Sequence, residues 1–310
     1  MIINTGGRTD TVNYYSDWLL NRFEQGEVYV RNPLFPHRVY RYRLSPDTVD
    51  CVVFCSKNYR PILSRLHRIS DRFDVFCYYT ITAYGRDVEP GVPDIDRSIE
   101  TLEELSRSVG RNRVVWRYDP VLLTEKYTVA RHLECFESMA ARIAPHVSFA
   151  LFSFVEMYRR LETNMPEIIP LTPADRDLLA RGLGERARRH GLRLQTCGTD
   201  ESYAAYGIGR SGCLTAPILE QALGRTFRKL PHKGTRKGCS CMPSRDIGAY
   251  DTCLNGCKYC YANRRPDSAL ENYRRHDPRS PLLVGGLQPS DTLCDGVQER
   301  WTAEGEPSLF

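Results

Sequence analysis

Three cysteines, Cys253, Cys257 and Cys260, stand in the stretch DTCLNGCKYC at spacings of four and then three residues, with Tyr259 just before the last. A disulfide needs an even number of thiols, and a closed tetrahedral metal site needs four ligands. Three thiolates converging on one face of a tight loop can hold a metal centre and leave one position open. Iron–sulfur clusters are held by cysteine thiolates, four of them when a four-iron cluster is closed. A cluster held by three keeps one iron free to bind a small molecule. Structural zinc sites are usually built from paired C-x2-C knuckles and take four protein ligands. With Cys239 and Cys241 nearby in the chain a zinc site could also be assembled, but the spacing fits a cluster better.

A second set is Cys197, Cys213, Cys239 and Cys241. Four thiolates would close a site, either a second four-iron cluster or zinc. Its tightest pair lies in GCSC, where an extended backbone puts both side chains on one side. A cluster there would relay electrons or bind substrate, and zinc would staple the loop. Cys51, Cys55, Cys77 and Cys135 fall in apolar or amphipathic stretches and read as buried thiols acting as small hydrophobes. Cys294 receives no role.

The elements that must position these thiols follow from periodicity. Six short apolar runs, beginning at MIIN, VDCVVFC, FDVFCYY, NRVVWRYDP, HVSFALFSF and LRLQTC, alternate with segments of helical spacing. Thr172-Pro173 makes a good helix start, and Gly26 a good stop. Alternating strand and helix argues for parallel βα units closing into a (β/α) barrel or partial barrel of the TIM type. Chemistry in such barrels gathers at the C-terminal ends of the strands. The polar tips there are Arg8-Thr9-Asp10, Lys57-Asn58, Thr82, Arg117-Tyr118-Asp119, Glu156 and Cys197. Each alone reads as a salt bridge or helix cap; together they would meet at one mouth. Beyond about residue 205 strong periodicity gives way to glycine, basic residues and cysteine. The expected organisation is therefore a barrel-like domain over 1–205 and a Cys-rich segment over 206–310 packed on its mouth.

The bulk numbers bound the function. A composition 41% hydrophobic and 26% charged is globular. No apolar run approaches the roughly 18 residues that span a bilayer, and the first residues carry no secretory pattern. The expectation is a cytoplasmic chain without a membrane partner, in which twelve cysteines point to metal or catalysis rather than disulfides. The net charge of +5 is mild and supports nucleic-acid binding only weakly.

C-x3-C-x2-C with an aromatic before the last cysteine resembles the radical S-adenosylmethionine signature. That resemblance implies a [4Fe-4S] cluster on Cys253, Cys257 and Cys260, whose fourth iron is chelated by S-adenosylmethionine. It also implies reductive cleavage to a 5′-deoxyadenosyl radical, and an electron donor such as a flavodoxin or ferredoxin. RTD at 8–10, VRNP at 30–33, WRYDP at 116–120, SFVEMY at 153–158 and the run from CSCMPSRD to CYAN resemble a bacterial family known only as domain of unknown function 1848, over nearly the whole chain. The division of labour this implies has Tyr259 packing on the adenine, while Asp10, Lys57, Arg117 and Asp119 hold an unidentified polar substrate or the cofactor carboxylate. Asp246 would buttress the cysteine loop or cap a turn. The superfamily usually carries its motif after the first strand, whereas here it lies near the C-terminus. SPLLVGG at 280–286 therefore reads as the next strand of a circularly permuted barrel, with Gly285-Gly286 contacting the methionine amine. GGRTD and KNY depart from the family pattern and leave the substrate contacts open. The competing readings are a zinc- or cluster-stabilised binding protein, and a DNA-repair enzyme like spore photoproduct lyase.

Overall fold

All six runs form strands in a computed structural model that describes residues 1–210, 212–228, 230 and 239–303. Strand β1 (Ile2–Asn4) is followed by helices α1 (Thr11–Tyr14) and α2 (Ser16–Gln25) and by an antiparallel pair, β2 (Glu27–Arg31) and β3 (Arg38–Arg43). Then come β4 (Cys51–Ser56), the single turns α3 (Arg60–Leu63) and α4 (His67–Ser70), β5 (Val75–Thr80), α5 (Ile95–Val109), β6 (Val114–Val121) and α6 (Val129–Ile143). After them run β7 (Phe149–Phe154), α7 (Arg159–Asn164), α8 (Pro173–Arg189) and β8 (Leu194–Thr196). The Cys-rich part of the chain adds β9 (Gly209–Arg210), α9 (Ala216–Leu223), β10 (Arg245–Asp246), α10 (Pro266–Arg274) and β11 (Thr292–Asp295).

Local chemistry sets the helix ends. Asp94 accepts from Arg97 N at 2.9 Å to start α5, and Thr128 accepts from Arg131 N at 3.2 Å to start α6. Thr172 and Asp175 form a reciprocal capping box on α8. Each such cap contributes about 1 kcal/mol. Helix α2 stops at Gly26, whose φ of 75° is the left-handed turn that glycine takes without a Cβ clash.

Eight strands form one parallel sheet in the order β10-β1-β4-β5-β6-β7-β8-β9, the neighbour-by-neighbour winding of a barrel-like α/β fold. A smaller sheet runs β11-β3-β2. Successive strand residues face opposite sides, and the two faces bury two different cores. Ile3, Val52, Phe54, Val75, Tyr79, Trp116 and Phe152 pack outward against Trp18, Leu102 and Phe136 of the helices. Ile2, Cys51, Val53, Phe76, Tyr78, Val115, Phe149 and Leu151 pack inward, and Ile218 and Leu219 of α9 join this inner core. Strands β9 and β10 thus extend the same ladder as β1 and β4 to β8, although the sequence around them has lost its periodicity.

One expectation fails here. Residues 280–286 make bends rather than a strand. Their carbonyls are claimed from elsewhere: Pro281 O by Tyr29 N at 3.0 Å and Ser280 O by Trp18 Nε1 at 2.9 Å. Ser280 Oγ closes the turn on Gly285 O at 2.8 Å, and the apolar Leu282 and Leu283 are buried as an anchor. Among the described residues no helix is long and apolar enough to cross a membrane.

Between β6 and α6 lies a buried titratable group. His132 is 1% exposed; its Nε2 meets Leu122 O at 2.8 Å and its Nδ1 meets the Tyr118 hydroxyl at 2.7 Å. A carbonyl only accepts, so Nε2 carries the proton and Nδ1 accepts from Tyr118. Burial lowers the imidazole pKa to about 4, so the folded state resists a proton that the unfolded chain takes up near the ordinary 6.5. The stability tied to this residue is complete above that value and is lost as pH falls from 6.5 towards 4. The loss amounts to about 3 kcal/mol. Denaturant melts from pH 7.5 to 4.5 should show the decline in the wild type and a shallower one in His132→Gln. Equal slopes would show that His132 is not its source.

Candidate functional site

The inner face of the barrel changes character along its strands. The apolar layer described above lies toward their N-terminal ends. The same alternation then brings Cys55, Lys57, Thr80, Thr82, Arg117, Asp119 and Ser153 to the C-terminal end. Arg117 pairs with Asp119, which accepts the Ser153 hydroxyl, and Arg117 Nη1 donates to Cys55 Sγ at 3.3 Å. Arg117 Nε is buried without a partner. Burial opposes the guanidinium charge, yet Asp119 and the thiols around it outweigh that, and its pKa is raised. Lys57 donates to Glu89 Oε1 at 2.9 Å, and the same oxygen accepts from Thr82 Oγ1 at 2.9 Å and from the Tyr259 hydroxyl. Burial lowers the Lys57 pKa, but Glu89 and Cys257 more than compensate and hold the ammonium charged. A cavity of about 280 Å³ opens at the ends of β7 and β8, lined by Ser153, Glu156, Arg176, Thr199 and Glu201.

The cysteine loop runs out of β10 and across this mouth. Register pairs Ile3 with Arg245 and Asn4 with Asp246, so the loop starts beside the end of β1. Asp246 accepts from Gly7 N at 2.7 Å and from Gly248 N at 2.9 Å, which serves both roles expected of it: it buttresses the start of the loop and closes a turn. A Cβ on Gly7 would lie 2.2 Å from Asp246 Oδ2, so the close approach requires glycine there. Further along, Tyr15 donates to Thr252 O at 2.7 Å, Gly91 N to Asn255 O at 2.8 Å, Lys258 N to Val88 O at 3.0 Å, and Tyr158 to Tyr259 O at 2.9 Å. Loops following β1, β5 and β7 therefore grip the cysteine loop from several sides. Cys253 is buried, Cys257 and Cys260 partly so. Burial pushes the Cys253 thiol up to about 12 and the Cys257 thiol upward too, the latter against the pull of Lys57.

The second set gathers differently. Cys213 and Cys241 stand Sγ to Sγ at 3.4 Å, and Cys197 is in hydrogen-bond contact with Cys213, Cys239 and Cys241. Ligand atoms of Cys197, Cys213 and Cys241 lie within 4.8 Å of one another and could hold a metal ion. Cys253, Cys257 and Cys260 are not part of this group.

Of the expected site residues, Lys57, Arg117 and Asp119 meet at the mouth with the cysteine loop. Asp10 lies beneath that loop with both oxygens engaged. Its Oδ1 accepts from Ser56 Oγ at 2.6 Å and Asn13 N at 3.0 Å, and its Oδ2 from Lys57 N and Asn255 Nδ2 at 3.0 Å each. Tyr259 lies between the Lys57 ammonium, 5.7 Å from its ring centre, and the Tyr84 ring, 5.9 Å away. Tyr118 turns outward to His132, as alternation demands of the residue between Arg117 and Asp119. Gly285 and Gly286 do not join the site. They neighbour Arg275, Ser280, Gln288 and Arg31, because the segment is an anchor for α2 and β2 rather than a strand. Glu89, only 2% exposed, was not among the expected residues. Its signal was an acidic residue in the Pro/Gly loop that follows a strand.

Residues 2–262 match the family described as Domain of unknown function (DUF1848). No curated protein matches the chain. Among solved structures, the HpcH/HpaI aldolase from Desulfitobacterium hafniense DCB-2 is 13% identical over 72% of this chain and 90% of that chain, with a TM-score of 0.27, a likeness too slight to carry chemistry across. The family match runs from β1 through β10 and takes in both thiol sets and the mouth they border, and the chain belongs to the DUF1848 family.

Proposed function

We propose that this protein is an iron–sulfur enzyme of the radical S-adenosylmethionine type, acting on a substrate bound at the barrel mouth. The observation that carries the reading is the arrangement of Cys253, Cys257 and Cys260. They share one loop over the polar end of the barrel, Cys253 buried and Cys257 and Cys260 partly so, with the Lys57 ammonium beside Cys257. The donor set fits: three sulfurs for a [4Fe-4S] cluster and one position left for the cofactor. When bound, that pair would supply one-electron cleavage of the sulfonium to a 5′-deoxyadenosyl radical, the electron arriving from a donor such as a flavodoxin or ferredoxin.

The chain's own residues hold and shape this site. Asp10 is a positioning residue, tying the loop after β1, the end of β4 and Asn255 of the cysteine loop into one network. Lys57, fixed by Glu89, sets a positive charge beside Cys257 and offsets thiolate charge there. Tyr259, anchored through its hydroxyl on Glu89, forms the wall beside which the motif resemblance would set the adenine. Arg117, steadied by Asp119 and with its buried Nε unpartnered, is a guanidinium that suits a carboxylate. Strand β10, which leads into the cysteine loop, neighbours β1 at the sheet's end. That supports a circularly permuted barrel whose motif follows its topological first strand, with β10 in that role.

Two measurements test this. Protein purified and reconstituted without oxygen, then reduced with dithionite, should form 5′-deoxyadenosine from S-adenosylmethionine, and Cys253→Ala should form none. An intact cluster that never cleaves the cofactor would overturn the reading. For the positioning role, Asp10→Ala abandons several buried donors, each costing about 1–3 kcal/mol, so it should lose about 3 kcal/mol in denaturant melts and retain less iron. Full stability with full iron loading would show that the loop stands without Asp10.

A further inference from the structure

The parallel ladder has two ends, β9 and β10, and among the described residues no strand pairing joins them. The second thiol set stands at this seam. Cys197 is the first residue after β8, Cys213 lies shortly after β9, and Cys239 and Cys241 lie on the approach to β10. The two approaching segments touch through Met242 N donating to Leu214 O at 2.8 Å and Leu214 N donating to Cys241 Sγ at 3.3 Å. A Cβ on Gly212 would lie 2.8 Å from Cys241 N, so the backbones meet as closely as glycine allows. Cys197, Leu214, Cys241 and Met242 are buried in the inner apolar core, away from water.

We infer that Cys197, Cys213 and Cys241, whose ligand atoms already lie within 4.8 Å of one another, bind one zinc ion with Cys239, beside Cys197, moving in as the fourth thiolate, and that this ion cross-links the two ends of the ladder where strand pairing does not. The 3.4 Å between Cys213 and Cys241 is far longer than a disulfide of about 2.0 Å. It lies close to the roughly 3.8 Å edge of a tetrahedron whose metal–sulfur bonds are about 2.3 Å. A bridged multi-iron cluster needs its thiolates farther apart, so the spacing selects a single ion. Four thiolates without an open position make a structural centre. Zinc is preferred over ferrous iron because it binds a given site more tightly in the first-row order. Four thiolates on a divalent ion leave two negative charges in an apolar core, and the Arg117 guanidinium, which feels both Cys197 and Cys213, faces them from the mouth. The clasp thereby ties the barrel seam to the charge arrangement of the site. It stands independently of the open cluster on the other cysteines.

The decisive protein is the full chain carrying Cys253→Ala, Cys257→Ala and Cys260→Ala together, purified without oxygen. It should retain one zinc per chain and no acid-labile sulfide. X-ray absorption at the zinc edge should show four sulfurs at about 2.3 Å, and cobalt exchanged into the site should give the intense visible bands of a tetrahedral tetrathiolate. In a second variant, Cys241→Ser, zinc content should fall and amide exchange should quicken at 212–214 and 239–246, while β4 to β6 keep their protection. If that variant does not fold, thiol titration of the triple variant should release the zinc in step with modification of these cysteines. Iron with sulfide in the triple variant would replace the ion by a cluster, and soluble, metal-free protein with freely reactive thiols would remove the site altogether. Zinc present but with unchanged exchange at the seam in Cys241→Ser would overturn the cross-linking role.

Discussion

The pairing of β10 with β1 is the contact on which the site depends. Nearly the whole chain separates the two strands, yet Asn4 lies beside Asp246 in parallel register. Asp246 then reaches across to Gly7 N, and the cysteine loop leaves β10 directly over the mouth. Two residues of strand are a small ladder, so the register is secured mainly by side chains. Asp246 holds the loop after β1, and Asp10 holds the loop after β10 through Asn255. Both carboxyls are pushed up by burial, with hydrogen bonds and, at Asp246, the Arg8 charge pulling the other way. Such groups are costly to bury and costly to leave unpaired, which gives the arrangement its specificity rather than its net stability.

The barrel interior divides labour by depth. Its lower layer of Ile2, Val53, Phe76, Val115, Phe149 and Leu151, joined by α9, is an ordinary packed core. Its upper layer spends that rigidity on charges held in pairs, Lys57 with Glu89 and Arg117 with Asp119. Buried pairs of this kind contribute little to folding, because desolvation offsets most of the attraction. They do fix the direction of dipoles and charges before any ligand arrives, the condition under which a site stabilises charge without reorganising.

The two thiol sets differ in geometry, and the different work proposed for them rests on that difference. One is compact, with the sulfurs of Cys197, Cys213 and Cys241 within 4.8 Å of one another against the inner core at the seam. The other is spread along a loop gripped by tyrosine hydroxyls and backbone amides at the rim. A closed, dry set suits support; an open set at a polar mouth suits reaction. That contrast separates two groups of cysteines that are neighbours in the chain.

From the sequence alone the six alternating strands, the helix start at Thr172, the stop at Gly26 and the strand-end residues Lys57, Arg117 and Asp119 were all legible. Each rests on local spacing and on the polarity of a few adjacent residues, which the chain carries wherever it folds. The cysteine spacings were legible for the same reason, as a choice of chemistries. Tertiary structure alone decided the rest. Strand β10 has two residues and no periodicity, so only its partner β1 makes it a strand. Ser280–Gly286 has the apolar look of a strand, but Trp18 and Tyr29 claim its carbonyls. Glu89 became part of the site because its loop folds back over Lys57, and Asp10 became a hub because Ser56 and Asn255 arrive beside it. Which thiols come within reach of one another was decided by the packing of the chain, since a distance between sulfurs belongs to the packed chain and not to any segment of it.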